Sequence, residues 1–434
     1  MKGNVLAVCL LISAALFGQE LEFSSTLEQP VLESGESQRT YIKVGVKGYE
    51  TDAAVVRPPV NVAIVLDRSG SMAGDKIRQA KEAAKYAVDL LGPQDILSII
   101  TYESTVDVLM PATRVADKNR VKGLIDEIQI AGSTALFAGV SKGAEELRKF
   151  LDRDRVNRVI LLSDGIANVG PESPGALGDL GSSLRKQGIS VSTIGLGLGY
   201  NEDLMFRLAQ KSDGNHAFVE NAKDLVRIFD YEFRDVMSVV AQDVRINLQL
   251  KNGVKAIRVL NREAEIFEDR VSVIINQVYS SQEKYFLLEV EVPAGSDRQV
   301  IEVASLDVAY RNLQSQQEER LTDTLDLTYT GSSTLAENSR NRDVAEAVVL
   351  QVATENAERA VALRDEGRLE EAQGLLQENA SFLNRSAAEL DSEDLLEYAG
   401  ENEVYAEEII DGDWVEQRKS MRESSFEKAT QQTY

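Results

Sequence analysis

The chain has 434 residues, 43% hydrophobic and 27% charged, with 29 Gly and 8 Pro. That length exceeds one ordinary core and predicts two or three domains, while the composition excludes collagen-like and wholly disordered classes. The formal net charge of −24 repels phosphate backbones and anionic lipid heads, which argues against a nucleic-acid partner.

The chain begins MKGNVLAVCLLISAALFGQE, and residues 1–18 read as a secretory signal. Lys2 is its basic end, Val5 to Leu16 its apolar run, and cleavage fits after Ala15 or Gly18. The run is short for a bilayer span, and a retained anchor is the alternative. Cys9 is the sole cysteine, and it lies inside the run behind the bulky Val8, a poor place for lipid attachment. Removal of the signal leaves no cysteine, so the mature chain has no disulfides, thiol chemistry or cysteine metal sites. No later stretch is long and apolar enough to insert in a membrane. The expectation is an exported protein, periplasmic or extracellular.

Within residues 19–59, TYIKVGVKG alternates, with Ile42, Val44 and Val46 on one face of a strand. From 60 to 240 the pattern changes. The runs NVAIVL (61–66), DILSIITY (95–102), VNRVILLS (156–163) and ISVSTIGLGL (189–198) are largely apolar without alternation. Between them, DKIRQAKEAAKYAVDLL sets Ile77, Ala80, Ala84, Ala87, Val88 and Leu91 on one helical face, and LFAGVSKGAEELRKFL and NEDLMFRLAQ are similarly amphipathic. Apolar strands separated by helices predict an α/β unit, a doubly wound and mostly parallel sheet. STVDVLMPAT (104–113) follows its strand too closely for a crossover and predicts an antiparallel partner at the sheet edge.

Alternation returns over 241–334. Val244, Ile246, Leu248 and Leu250 form one stripe, Phe286, Leu288, Val290 and Val292 another, and Leu325, Leu327 and Tyr329 a third. The N-terminal strands are too few to stand alone. They are expected to join these in a split antiparallel β-sandwich into which the α/β unit is inserted; the alternative is an arm lying along that unit. Residues 335–434 read as a C-terminal helical region. One helix stops at Gly367, RLEEAQGLLQENASFLN begins a second, and Ser392 caps a third. The first pair resembles a single tetratricopeptide hairpin, which is expected to pack on the sandwich rather than form a peptide-binding array. The polar tail after Trp414 is expected to be mobile.

DRSGS (67–71) ends the first apolar strand. In an extended segment it aims Asp67, Ser69 and Ser71 at one spot, beyond the carboxyl end of a parallel sheet where such folds bind ligands. AGSTALFAG offers Thr134, with Ser133 beside it, and the strand VNRVILLS ends in SDG with Asp164. The five oxygen donors suit Mg²⁺, or less selectively Mn²⁺ or Ca²⁺. DRSGS, the GST loop and the strand ending in SDG resemble the von Willebrand factor A (VWA) domain, whose metal-ion-dependent adhesion site has the pattern DxSxS…T…D. The resemblance covers about residues 60–240. It implies that Ser69, Ser71 and Thr134 coordinate the ion and that Asp67 and Asp164 hold it directly or through water. Ser163 is outside that pattern. The wider layout is similar to secreted bacterial relatives of calcium-activated chloride channel homologues and inter-alpha-trypsin inhibitor heavy chains, although no pore-forming segment is present.

Three neutral hydroxyls leave a divalent charge poorly offset when the carboxylates stand behind them. A partner protein's Asp or Glu can then replace a water. The expected function is metal-dependent adhesion or assembly, not catalysis, with motion of the helix at about 223–240 as a route to the sandwich. The alternatives are a metal-pinned scaffold and a metal-dependent hydrolase. Against the hydrolase, aspartyl-phosphate enzymes carry an acid where Ser69 stands, and no GxSxG elbow ends a strand. His216, the sole histidine, is expected in a turn or at the surface before an edge strand.

Overall fold

The computed structural model describes residues 21–51, 57–165, 168–410 and 412–432. The signal segment expected at 1–18 lies outside the described residues. Three strands come first: β1 (Glu22–Leu27), β2 (Val31–Glu33) and β3 (Gln38–Lys47). Then follow β4 (Val60–Asp67), α1 (Asp75–Leu90), β5 (Ile96–Tyr102), β6 (Val106–Arg114), α2 (Lys118–Asp126) and α3 (Leu136–Arg148). The α/β unit continues with β7 (Val156–Ser163), α4 (Pro174–Arg185), β8 (Ile189–Leu196), α5 (Glu202–Ser212), β9 (His216–Val219) and α6 (Leu225–Ser238). Its sheet has the order β6-β5-β4-β7-β8-β9, and only the β5–β6 pair is antiparallel.

Strand β4 is buried along its length because both of its faces are covered. Val62, Ile64 and Leu66 join a core with Ala80, Ala84 and Val88 of α1 and Phe229 and Phe233 of α6. Ala63 and Val65 face the other way, toward Leu136 and Val140 of α3. The chain leaves β4 for β5 on one side and later returns to β7 on the other. The carboxyl end of β4 is therefore the switch point of the sheet, where a crevice opens.

The sandwich strands are β10 (Val239–Leu250), β11 (Lys255–Leu260), β12 (Ala264–Phe267), β13 (Arg270–Tyr279), β14 (Glu283–Val292), β15 (Val300–Asn312) and β16 (Gln317–Thr330). They form two sheets, β1-β3-β14-β11 and β12-β13-β10-β15-β16-β2. Strand β3 pairs with both β1 and β14, so residues 38–47 meet residues 283–292 across the whole inserted unit. Ile42, Val44 and Val46 share one core with Val244, Ile246, Phe286, Leu288, Val308 and Leu327. The split sandwich, rather than the arm, is the observed arrangement.

Five helices close the chain: α7 (Ser333–Asn338), α8 (Arg342–Asp365), α9 (Leu369–Leu390), α10 (Glu393–Glu408) and α11 (Trp414–Thr430). Gly367 adopts φ +80° just past α8, and Ser392 Oγ accepts from Leu395 N at 3.2 Å to cap α10. Helix α8 packs Val344, Ala347 and Val348 against Leu260, Tyr285 and Leu287, so the outer face of β14 is buried too. No described helix is long and apolar enough to cross a membrane.

The tail after Trp414 is not the mobile segment its polarity led us to expect. It is α11, docked against α5, β9 and α8. Lys419, only 2% exposed, donates to Tyr200 O at 3.1 Å and Glu202 Oε2 at 2.6 Å. Arg418 pairs with Glu202, Asp203 and Asp365. Phe426 meets the rings of Phe206 and His216 at centroid distances of 5.5 and 5.9 Å. The surface expectation for His216 is likewise corrected: the ring is buried, with Nδ1 2.8 Å from Thr193 Oγ1. Burial, with the Lys419 charge, lowers its pKa to about 3, so it stays neutral in the folded protein.

This docking carries a pH dependence. Glu423 Oε1 accepts from Phe218 N of β9 at 2.9 Å. Burial raises the Glu423 pKa from 4.5 to about 7, opposed by the Phe218 bond and reinforced by the charge of Glu427 on the same helix. The folded form thus keeps the proton longer than the unfolded form. The stability this group contributes is full below 4.5 and lost as pH rises through about 7. The intrinsic-rate-corrected hydrogen exchange of the Phe218 amide should speed up across that window. Glu423→Gln should flatten the profile, and an unchanged profile would show that another group controls it.

Candidate functional site

The crevice at the end of β4 is lined by three loops. Ser69 keeps an extended backbone and the chain turns at Gly70, where the sequence supplies a glycine. Ser69 N donates to Asp67 Oδ1 at 2.8 Å, and Met72 N donates to Ser69 O at 3.0 Å, closing a single 3₁₀ turn over Gly70–Met72. That turn brings Ser69 Oγ and Ser71 Oγ to 3.0 Å. The second loop is tied to the first by Ala131 N donating to Arg68 O at 2.9 Å and Gly70 N to Gly132 O at 3.3 Å. The third begins where β7 ends, and Ser71 Oγ donates to Asp164 Oδ1 at 2.8 Å.

Thr134 is buried and held by its backbone: its N donates to Asn168 Oδ1 at 2.8 Å, and its carbonyl accepts from Asn168 N at 3.1 Å. Ser133 is exposed, and its amide donates to Ser104 Oγ. A β-carbon placed on Gly165 would lie 3.0 Å from Thr134 Oγ1, 3.4 Å from Ser71 Oγ and 3.7 Å from Asp67 Oδ2. Thr134, Ser71 and Asp67 thus converge beside Gly165, and hydrogen bonds join Ser69 and Asp164 to them, so the structure brings all five predicted residues together.

The two carboxylates are bound differently. Asp67 is fully buried, with Oδ1 on the Ser69 amide and Oδ2 accepting from Ser163 Oγ at 2.7 Å. Burial raises its pKa, against the hydrogen bonds from Ser163 and Ser69. Asp164 has Oδ1 on Ser71 and Oδ2 on the ammonium of Lys76 in the first turn of α1. Lys76 and Asn168 were missed in the sequence reading, and Ser163 was set aside as outside the pattern. Ser163 adjoins Asp164 and was visible there, whereas Lys76 and Asn168 carry no signal without the fold.

An oxygen-only space of two carboxylates and three hydroxyls fits Mg²⁺, Mn²⁺ or Ca²⁺ and disfavours soft ions. Among the described residues no three His, Cys, Asp or Glu side chains gather as a metal-chelating group. A cavity of about 210 Å³ lies elsewhere, between α4, α5 and α8. Its charges largely satisfy one another, with Arg185 on Glu263 and Arg262 on Asp213.

The profile of the von Willebrand factor type A domain matches residues 61–230. The protein YfbK of Escherichia coli (strain K12) is 28% identical over 214 residues, which is 49% of this chain and 37% of YfbK. Human inter-alpha-trypsin inhibitor heavy chain H2 is 27% identical over 200 residues, covering 44% of this chain and 21% of its own. The chain thus spans well under two thirds of either relative. A solved von Willebrand factor type A protein from Catenulispora acidiphila superposes with a TM-score of 0.71 at 17% identity, over 86% of this chain and 89% of that one, a likeness of fold. The sheet order, the crevice at its switch point and the profile match agree: residues 61–230 of this chain are a von Willebrand factor type A domain.

Proposed function

We propose that this chain is an adhesion or assembly module that captures an Asp or Glu of a partner protein through a divalent cation held by Asp67, Ser69, Ser71, Thr134 and Asp164. The observation that carries this reading is the convergence of Thr134, Ser71 and Asp67 oxygens on the point where a Gly165 β-carbon would stand. Ser69, Ser71 and Thr134 offer hydroxyls to the ion. Asp67 orients Ser69 through its backbone amide, and Asp164 orients Ser71 through its hydroxyl. A bound Mg²⁺ supplies a positive point on a very acidic protein, which is what a partner's carboxylate seeks. The apolar run at residues 5–16 supports export and a partner outside the cytoplasm.

Affinity capture from secreted or surface fractions tests the reading. Wild type in Mg²⁺ should retain a partner that chelator releases, and Asp67→Ala should retain none while its far-UV circular dichroism is unchanged. A partner held equally in chelator would favour a second reading, a metal-independent scaffold. The Lys76–Asp164 pair motivates that alternative, because it gives the cluster a cation of its own.

A further inference from the structure

We propose that Lys76 sets the charge of this site: by neutralising Asp164 it weakens the hold on a divalent cation and strengthens the capture of a carboxylate. The inference rests on the metal-site reading above and deepens it.

Lys76 is the second residue of α1. A cation there opposes the helix dipole, whose positive end lies at the N-terminus. An ordinary surface role therefore does not explain the position, and its partner does. Asp164 is fully buried, while the Lys76 side chain is about one-third exposed and reaches in to meet Oδ2. The loop before α5 passes beside this pair. A β-carbon on Gly197, at φ +71°, would lie 3.7 Å from both Cε and Nζ of Lys76, and one on Gly199 would lie 3.1 Å from Asp164 O.

The two oxygens of Asp164 divide the work. Oδ1 faces Ser71 and the shared space, and Oδ2 faces Lys76. Lysine and cation thus approach different oxygens and need not exclude each other. Asp67 is committed as well, with one oxygen on the Ser69 amide and the other on Ser163. The cluster holds two carboxylates and one ammonium, one negative charge short of cancelling a divalent ion. The remaining positive charge is what an incoming carboxylate meets. Removing the ammonium restores the second negative charge, which favours the cation and disfavours the anion.

The full-length protein and its Lys76→Met and Lys76→Arg variants test this. Mn²⁺ binding is read by electron paramagnetic resonance. Acetate is titrated into Mg²⁺-loaded protein and followed by the amide shifts of Ser69–Met72. Lys76→Met should bind Mn²⁺ about tenfold more tightly and acetate more weakly. Lys76→Arg should stay near wild type in both. Opposite signs support the proposal, because a merely structural lysine would weaken both. Unchanged or weaker Mn²⁺ binding in Lys76→Met overturns it, as does tightening in Lys76→Arg. No Mn²⁺ binding by wild type would instead overturn the metal-site reading itself, a distinct failure.

Discussion

Replacing Glu232 with alanine is expected to cost the fold about 3–5 kcal/mol, because it leaves a guanidinium buried without its counter-charge. Arg158 and Glu232 are both completely inaccessible and pair at 2.8 Å. Arg158 also donates to Ser192 Oγ at 3.0 Å, to Tyr279 OH at 2.6 Å and to Gln277 Oε1. Glu232 accepts in addition from Asn215 Nδ2 at 2.8 Å and from Ser192. The network thus joins β7 and β8 of the α/β unit to α6 and to β13 of the sandwich. Burial raises the pKa of nearby Asp235 to about 6, with the Glu232 charge adding to the rise. Loss of Glu232 lets Asp235 ionise more readily and recover part of the energy. Removing both partners, Arg158→Met with Glu232→Leu, should cost less than Glu232→Ala alone. Denaturant unfolding with probes in both sheets measures this. A cost for Glu232→Ala below about 1 kcal/mol would show that the buried pair is not what the geometry implies.

The placement of that network bears on how the site could communicate. Helix α6 is the element expected to move in such domains, and here it carries Glu232 into the joint with the sandwich. A second contact runs through the loop before α5. Gly197 and Gly199 lie beside Lys76 and the Asp164 carbonyl, and the adjoining Tyr200 carbonyl is held by Lys419 of α11. The C-terminal helix therefore reaches the edge of the candidate site through one short loop.

What the sequence shows well is what a periodic pattern encodes. The run at 61–66 is continuous because β4 is covered on both faces, and the stripe at Ile42, Val44 and Val46 alternates because β3 has one core face there. The cluster was legible because each donor ends a strand or starts a helix, and parallel strands bring those ends together. Helix α11 was not legible, since part of its docking is Arg418, Lys419 and Arg422 meeting acids of α5. A polarity scale counts such residues as solvated. Lys76 was hidden for a related reason: only the path of β7 puts Asp164 within its reach. His216 reads as a turn residue until α11 covers it.

Gly165→Ala should abolish binding of divalent metal while leaving every donor in place. The added methyl would stand 3.0 Å from Thr134 Oγ1 and 3.4 Å from Ser71 Oγ, at the point where these oxygens converge. Gly165 is not among the positive-φ residues, so alanine imposes no left-handed strain there. Asp67→Ala is a blunter probe. It frees the Ser69 amide and Ser163 hydroxyl inside a buried cluster, and lost affinity could then reflect a disturbed turn. The alanine at 165 separates the two causes, because it alters the volume of the space and none of its hydrogen-bonding groups. Calorimetric titration with Mg²⁺ and Mn²⁺ should show a loss of affinity beyond about a hundredfold, larger than outer-layer substitutions usually give. The melting temperature without metal should hold within about 4 °C of wild type, as for a change under 1 kcal/mol. Retained metal affinity in Gly165→Ala would place the ion away from the point where these three loops converge, and the five-residue cluster would then be a hydrogen-bonded knot that only pins the loops.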